Sequence, residues 1–535
     1  MEKYLILNTL DYPILSLTMI IPVLGALVCM FMKNETALKV WGLIVTLITL
    51  AVSIPLYTAF DATTPLYQFV ENRPWFPAIN LNYVVGVDGI SVLLVLLTTF
   101  VMPLCILCSW RYIKTRMREF IFVTLLMETA MIGVFVSLNT VLFYIFWEGM
   151  LVPMYLIIAV WGGPRKDYAS IKFFLYTFTG SIFLLVAIIA LYITTGTFFI
   201  PELMDHTYPF MFQLWIFLAF ALSFAIKMPM YPFHTWLPAA HVEAPTAGSV
   251  ILASILLKMG GYGFLRFCLP IAPAATMACV PWMIGLSIVS IIFGGYLALG
   301  QSDMKKLIAY SSVGHMGFVT LGIFLLNPEG IKGAILQMIN HGVTTGALFV
   351  CVGLIYERTH SREISDNSAL GMMMPLFVTF FGIFSLSSFG FPGTNSFVSE
   401  ILVLVGAFRE MPVVGFLAII GAILAAAYML RLLQKVVWNT SDGHAHHGDD
   451  HGHGDGHGGG HHVLADLNLR EIGTLAFLTF FVFWIGFYPK PLLGMMDVSV
   501  NHLIQQVNAG MACAPTAALD HFAMIKGIGA KIAGM

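Results

Sequence analysis

Apolar residues run along this chain in windows of about 20, the length a helix needs to cross a hydrocarbon core of roughly 30 Å. Such windows begin near residues 13, 37, 89, 119, 139, 171, 209, 247, 278, 305, 329, 372, 412 and 470. The pattern predicts about 14 spans and an all-α, polytopic membrane protein. Unpaired backbone is intolerable in lipid, and the period-two alternation of a barrel is absent, so helices are the expected elements. One segment breaks the pattern. Residues 441–462, "SDGHAHHGDDHGHGDGHGGGHH", carry eight of the sixteen histidines among Gly and Asp. A stretch without an apolar face buries no core, and its glycines fix no metal geometry, so a disordered, dispensable loop is expected.

Composition sharpens this picture. Hydrophobic residues make up 59% of the chain and charged residues 10%, against roughly 25% charged in soluble domains. So few charges could not cover the surface of a soluble chain of 535 residues, which excludes a soluble catalytic domain. A net charge of −2 argues against an electrostatic grip on nucleic acid or anionic lipid. The seven cysteines follow no disulfide or zinc spacing, and Cys105 and Cys108 lie in an apolar run where packing is the expected role. No basic segment followed by a small-residue cleavage site opens the chain, so no cleaved signal is expected.

The basic residues orient the spans. Sixteen Lys and Arg fall on the odd-numbered loops and eight on the termini and even loops, which places the odd loops in the cytoplasm and both termini outside.

Ionisable residues inside the apolar windows are the costly positions, each about 2.5–3.5 kcal/mol to insert at a helix centre. They are Glu128, Glu148, Lys227, Lys258, His315, His341 and Glu400. A buried Lys needs a partner or water, so Lys227 and Lys258 point to function. Glu148 reads as a working partner of Lys227, with a static ion pair as the alternative. His315 and His341 fit packing as well as function, and Glu128 fits a contact with a neighbouring helix or subunit. Asp88 sits at a helix entrance, where capping accounts for it. Pro229 and Pro232 follow Lys227, while Pro392 and Gly393 precede Glu400. Such interruptions survive in a membrane only where protein or a water-filled cavity satisfies the backbone. The offset between Pro229 and Pro392 carries Glu148 to Ser311, one turn from His315. Two interrupted spans in corresponding halves are the pattern of inverted-repeat transporters. Burial and mutual interaction can bring Glu, His and Lys groups towards neutral titration, and a row of them linked by water can pass protons. Nucleotide loops, haem-ligand pairs and cysteine-rich cluster motifs are missing, so the chain is expected to move charge without redox chemistry of its own.

These residues lie in long motifs: "GVDGIS", "FWEGMLVPMYLIIAVWGG", "KMPMYPFHTWLPAAHVEAPTAGSVILASILLKMGGYG", "SDMKKLIAYSSVGHMG" and "INHGVTTGALFVCVGLIYERTH". From about residue 80 to 435 the chain resembles the antiporter-like M subunits (chain 4) of proton-pumping NADH:quinone oxidoreductase, respiratory complex I. The resemblance implies a fold of 14 helices with two inverted five-helix repeats. The corresponding division is 1–118 for helices 1–3, 119–270 for the first repeat, 278–438 for the second, 439–468 for the His-rich cytoplasmic loop and 469–535 for the last helix and tail. It also implies that Glu148 and Lys227 form a coupling pair, that Lys258 with His315 or His341 relays protons, and that Glu400 is the terminal group towards the outside. L- and N-type subunits resemble a Lys-terminated axis, so a Glu at 400 points to the M type. The chain ends soon after the last window, without the long lateral helix of the L type, and nothing is carried over beyond 490 or to the His-rich loop. NADH, FMN, iron–sulfur clusters and quinone are expected in partner subunits and no cofactor in this chain. The implied partners are the L-, N-, K-, J-, A- and H-type membrane subunits and the peripheral arm, in a bacterial inner membrane. Two other readings stay open: a subunit of a multi-subunit sodium/proton antiporter, and an inert membrane scaffold of a redox complex.

Overall fold

The computed structural model describes residues 2–8, 10, 12–438 and 464–510; the His-rich stretch 441–462 lies outside them. Among the described residues, twelve helices are long and apolar enough to cross a membrane, from Glu35–Thr58 to Leu469–Phe487. Two shorter apolar helices, Ile14–Cys29 and Pro375–Ser388, occupy the windows that begin near 13 and 372. Large apolar side chains stay exposed along the outer helices, among them Ile171, Val186, Trp282, Phe416 and Ile423. A soluble protein would bury such a belt; in lipid it is the solvated surface. Thr246–Ile271 and Pro328–Thr359 are the inner helices, with the apolar window of each wholly buried. Small residues bring neighbours close: a Cβ on Gly294 would lie 2.8 Å from the backbone nitrogen of Gly314, so Pro273–Leu299 and Met304–Phe324 pack backbone to backbone.

Three departures from regular helix lie in the interior. The helix Phe210–Lys227 stops, and Trp236–Glu243 resumes after Pro229 and Pro232 have removed two backbone donors. The unwound stretch is satisfied locally: Tyr231 N donates to Ser290 Oγ at 3.0 Å and Trp236 Nε1 to the Ile226 carbonyl at 2.8 Å. The second interruption separates Pro375–Ser388 from Asn395–Glu410. Gly390 and Gly393 take φ of 71° and 91° there, values that L side chains rarely adopt. The third was not expected. Thr246–Ile271 carries two π-helical stretches, Leu252–Leu256 and Phe264–Cys268, and such stretches free carbonyls from the i→i−4 ladder.

Two elements outside the spans also differ from the expected helices alone. Tyr67–Phe76 pairs antiparallel with Leu81–Val87, and Leu5–Leu7 adds a parallel third strand. The alternation was hidden because only part of this sheet is buried; Glu71 to Phe76 are half-buried or exposed. Beyond 490, where nothing was carried over, Lys490–Gly510 forms an amphipathic helix burying Leu492, Met495, Met496, Ser499, Val500, Leu503 and Val507, the i, i+3, i+4, i+7 stripe of a surface helix. It is tied down by a Lys332–Asp497 ion pair and by Ser499 Oγ, which accepts from Gly89 N at 3.0 Å.

Candidate functional site

The interior departures converge on the costly residues. Lys227 is the last residue of Phe210–Lys227, so it sits at the first interruption and not within a continuous helix. Its side chain is 2% exposed, and Nζ lies 4.9 Å from the Trp147 ring centroid, a cation–π distance. Glu148 follows Trp147 on Thr140–Gly149 and is half-buried, with Oε1 lacking a hydrogen-bond partner among the described residues. Glu148 and Lys227 interact electrostatically, but no ion pair within 4.0 Å joins them. The static pair is therefore not formed; Trp147 occupies the place beside the ammonium.

Lys258 is fully buried on Leu257–Gly263, directly after the first π-helical stretch. Its Nζ donates to the Ala253 carbonyl and lies 2.7 Å from His341 Nδ1. The same His341 Nδ1 is 3.2 Å from the Ala253 carbonyl. The two contacts of Nδ1 select alternative proton arrangements: a bare Nδ1 accepts from the ammonium, and a protonated Nδ1 donates to the carbonyl or to a neutral amine. Lys258 and His341 thus share a place where one proton has two acceptors. The His341 and His315 rings lie with centroids 5.7 Å apart. His315 Nδ1 is 3.3 Å from Glu400 Oε1, and His315 Nε2 is 3.5 Å from Ser388 Oγ. Glu400 also accepts from Gln337 Nε2 at 3.2 Å. A Cβ on Gly390 would come within 2.7 Å of Glu400 Oε2, so the glycine that permits the second interruption also makes room for this carboxylate.

Lys258, His341, His315 and Glu400 therefore form one contiguous buried row. Lys227 stands at the first interruption with Glu148 as its electrostatic partner, and no hydrogen bond among the described residues joins Lys227 to Lys258. Glu128 stands apart: it is wholly buried on Met117–Val136 with neither oxygen partnered among the described residues.

Several polar residues escaped the sequence reading. Gln337 and Asn340 line the second interruption; Asn340 Nδ2 donates to the Asn395 carbonyl at 2.7 Å and to Ser399 Oγ at 2.9 Å. The available signal was position: Gln337 lies one helical turn before His341, and Asn340 directly precedes it. Arg266, one of the eight basic residues counted on the termini and even loops, is buried and pairs with Asp88 at 2.7 Å. Arg266 lies within the second π-helical stretch, Phe264–Cys268, of the inner helix Thr246–Ile271. Asp88 Oδ1 also accepts from Ser91 N at 3.0 Å, the capping contact expected there. Lys305, one of the sixteen basic residues counted on the odd-numbered loops, is buried at the start of Met304–Phe324 with Nζ 2.5 Å from the Ala244 carbonyl. His241 is wholly buried and stacked 4.5 Å from Phe349, with both ring nitrogens unpartnered among the described residues. Cys105 and Cys108 are buried side chains on Ser91–Cys108. No group of three or more His, Cys, Asp or Glu among the described residues could hold a metal ion.

Two interrupted helices around a buried row of ionisable groups define a membrane ion-translocating subunit of the antiporter-like class. Residues 137–425 match the family described as NADH:quinone oxidoreductase/Mrp antiporter, and residues 16–134 match NADH-ubiquinone oxidoreductase chain 4, amino terminus. The chain is 45% identical to NADH-quinone oxidoreductase subunit M of Rhodobacter capsulatus, over 88% of this chain and 91% of that protein. It is 44% identical to NADH-ubiquinone oxidoreductase chain 4 of Arabidopsis thaliana, over 90% and 95% of the two chains. Its fold matches a chain of respiratory complex I from Thermus thermophilus with a TM-score of 0.80 and 28% identity, covering 91% of this chain and 99% of that one. The chain belongs to the NADH:quinone oxidoreductase/Mrp antiporter family, in its subunit M (chain 4) branch.

Proposed function

We propose that this chain is the proton-translocating M-type membrane subunit of an NADH:quinone oxidoreductase, and that electron transfer in its partners drives protons along Lys258, His341, His315 and Glu400. The observation that carries the reading is the contiguity of that row across two helix interruptions, from the Lys258–His341 contact of 2.7 Å to the His315–Glu400 contact of 3.3 Å. Glu148 and Lys227 act as the coupling pair. Their approach or separation changes how firmly Lys227 holds its proton, because an opposite charge in a low dielectric favours the ammonium. Moving one charge against 100 mV requires about 2.3 kcal/mol, which a shift of less than two pKa units supplies. The chain holds no redox centre; NADH, FMN, iron–sulfur clusters and quinone belong to partner subunits. Those partners are the L-, N-, K-, J-, A- and H-type membrane subunits and the peripheral arm, in a bacterial inner membrane.

The distribution of basic residues supports cytoplasmic odd loops and outer termini. Residues 119–270 and 278–438 form the two inverted repeats, each holding one interruption. Affinity purification through this chain tests the reading. Flavin and iron–sulfur subunits should co-purify, and the reconstituted complex should acidify vesicles when given NADH. Recovery with cation/proton antiporter subunits alone would replace it by the sodium/proton antiporter reading.

A further inference from the structure

A cleft of about 230 Å³ opens on the flank of the bundle between Lys166–Thr195, Trp236–Glu243 and Met304–Phe324. It is lined by Arg165, Lys172 and Lys306, together with Tyr168, Thr235, Tyr310 and Glu243. Glu243 is the one acid among these groups, and it is engaged: its Oε2 accepts from Arg165 N at 3.0 Å and its Oε1 lies 3.9 Å from Arg165 Nε. Among the described residues, Lys172 Nζ donates to the Tyr168 hydroxyl at 3.2 Å and lies over that ring's face. The Lys306 ammonium has no ion pair or side-chain hydrogen bond among the described residues. The chain as a whole is near neutral, but in this cleft the one carboxylate is taken by Arg165, and Lys172 and Lys306 have no ion pair of their own among the described residues.

The surface beside the cleft is apolar. Ile171 and Leu175, on the same helix as Lys172, are 51% and 56% exposed. Phe293 and Tyr296 on Pro273–Leu299 are also exposed, and Tyr231 packs against Phe293 with centroids 5.3 Å apart. Tyrosines at the cationic end and aliphatic residues along the flank are the arrangement of a membrane interface.

We propose that this cleft binds the phosphate group of an anionic phospholipid, with Lys172 and Lys306 on the phosphate oxygens and the acyl chains along Ile171, Leu175 and Phe293. Neighbouring tyrosine and threonine hydroxyls supply donors for the remaining oxygens. Basic pockets between membrane helices take anionic headgroups in this way, each cation contributing about 1 kcal/mol, or roughly fivefold in affinity. The bound lipid would join the first interrupted helix to its neighbours through its headgroup. This holds whether or not the polar axis conducts protons.

Native mass spectrometry of the purified complex, titrated with phosphatidylglycerol or phosphatidylcholine of matched chains, tests it. Phosphatidylglycerol should be retained on this subunit in preference to phosphatidylcholine. Lys172→Gln and Lys306→Gln should each weaken that retention about fivefold, and the corresponding Arg variants should preserve it. Should the Gln variants fail to assemble, discrimination between the two lipids by the unaltered complex decides. Equal retention of both lipids, or unchanged retention in the assembled double Gln variant, would overturn the proposal. Displacement by inorganic phosphate as effectively as by added lipid would assign the cleft to the free anion. Carbodiimide crosslinking of Lys172 or Lys306 to another subunit, undiminished by added lipid, would assign it to an acidic protein segment.

Discussion

Lys258 Nζ and His341 Nδ1 lie 2.7 Å apart although 83 residues separate them in the chain. The contact joins the inner helix of one half to that of the other, and the π-helical stretch beside it supplies the Ala253 carbonyl as a shared acceptor. A proton leaving either group has the other, or that carbonyl's neighbourhood, within hydrogen-bond reach.

Lys258→Met should remove the titrating group while lowering the cost of burying a charge, so the complex should assemble. The rate of NADH-driven proton transport should fall about tenfold, corresponding to a barrier rise of roughly 1.4 kcal/mol. In the His341→Phe background the same substitution should add little, because residues of one relay are not independent. Vesicle acidification by the single and double variants measures this. Additive losses would place the two residues on separate paths.

Glu148→Gln should abolish most NADH-driven acidification without loss of assembled complex, because the neutral amide no longer favours the Lys227 ammonium. Glu148→Asp keeps the charge on a shorter arm and should retain more activity than Gln. Since the carboxylate and ammonium are not in contact, Asp should cost transport only a few-fold, about 1 kcal/mol by the usual rate conversion. Equal activity of the Gln and Asp variants would show the charge at 148 to be irrelevant to coupling.

Gly390→Ala should disturb Glu400 from a neighbouring residue. The new Cβ would meet Glu400 Oε2 at 2.7 Å in a backbone with φ of 71°, and the left-handed conformation adds roughly 1–2 kcal/mol for a residue with a Cβ. Transport should fall in the direction set by Glu400→Gln, with a small decrease in thermal stability. Combining the two substitutions should lower transport little beyond Glu400→Gln alone. A full additional loss in the double variant would mean that Gly390 serves the interruption and not the carboxylate.

Arg266→Met should reduce the amount of assembled complex, because it leaves Asp88 buried without its counter-charge. Breaking one side of a buried pair costs about 3–5 kcal/mol. Replacing both partners, Asp88→Leu with Arg266→Met, should recover much of the loss, since an apolar pair needs no charge compensation. Quantifying the subunit in membranes and its thermal unfolding midpoint separates the outcomes. A double variant as poorly assembled as the single one would show that the hydrogen bonds of Asp88 at the helix entrance, and not the charge pair, hold this region.

Sequence and tertiary structure contributed different things. Hydropathy alone determined the class of protein and the order of its spans, because lipid imposes one rule on every residue and a helix registers it locally. The same rule picked out Glu148, Lys227, Lys258, His315, His341 and Glu400, since a charged group in an apolar window is conspicuous wherever it points. The two proline interruptions were visible for an equally local reason, the missing N–H. Pairing was not visible. Whether Glu148 touches Lys227, which histidine meets Lys258, and that Arg266 meets Asp88 depend on the rotation of each helix about its axis and on contacts between distant segments. The π-helical stretches of Thr246–Ile271 illustrate the limit most clearly. No residue type announces them, yet each inserts an extra residue into a turn and so resets which side chains face the core. Composition is a property of each residue in its solvent, but facing and distance are properties of packed helices together, and only the tertiary structure decides them.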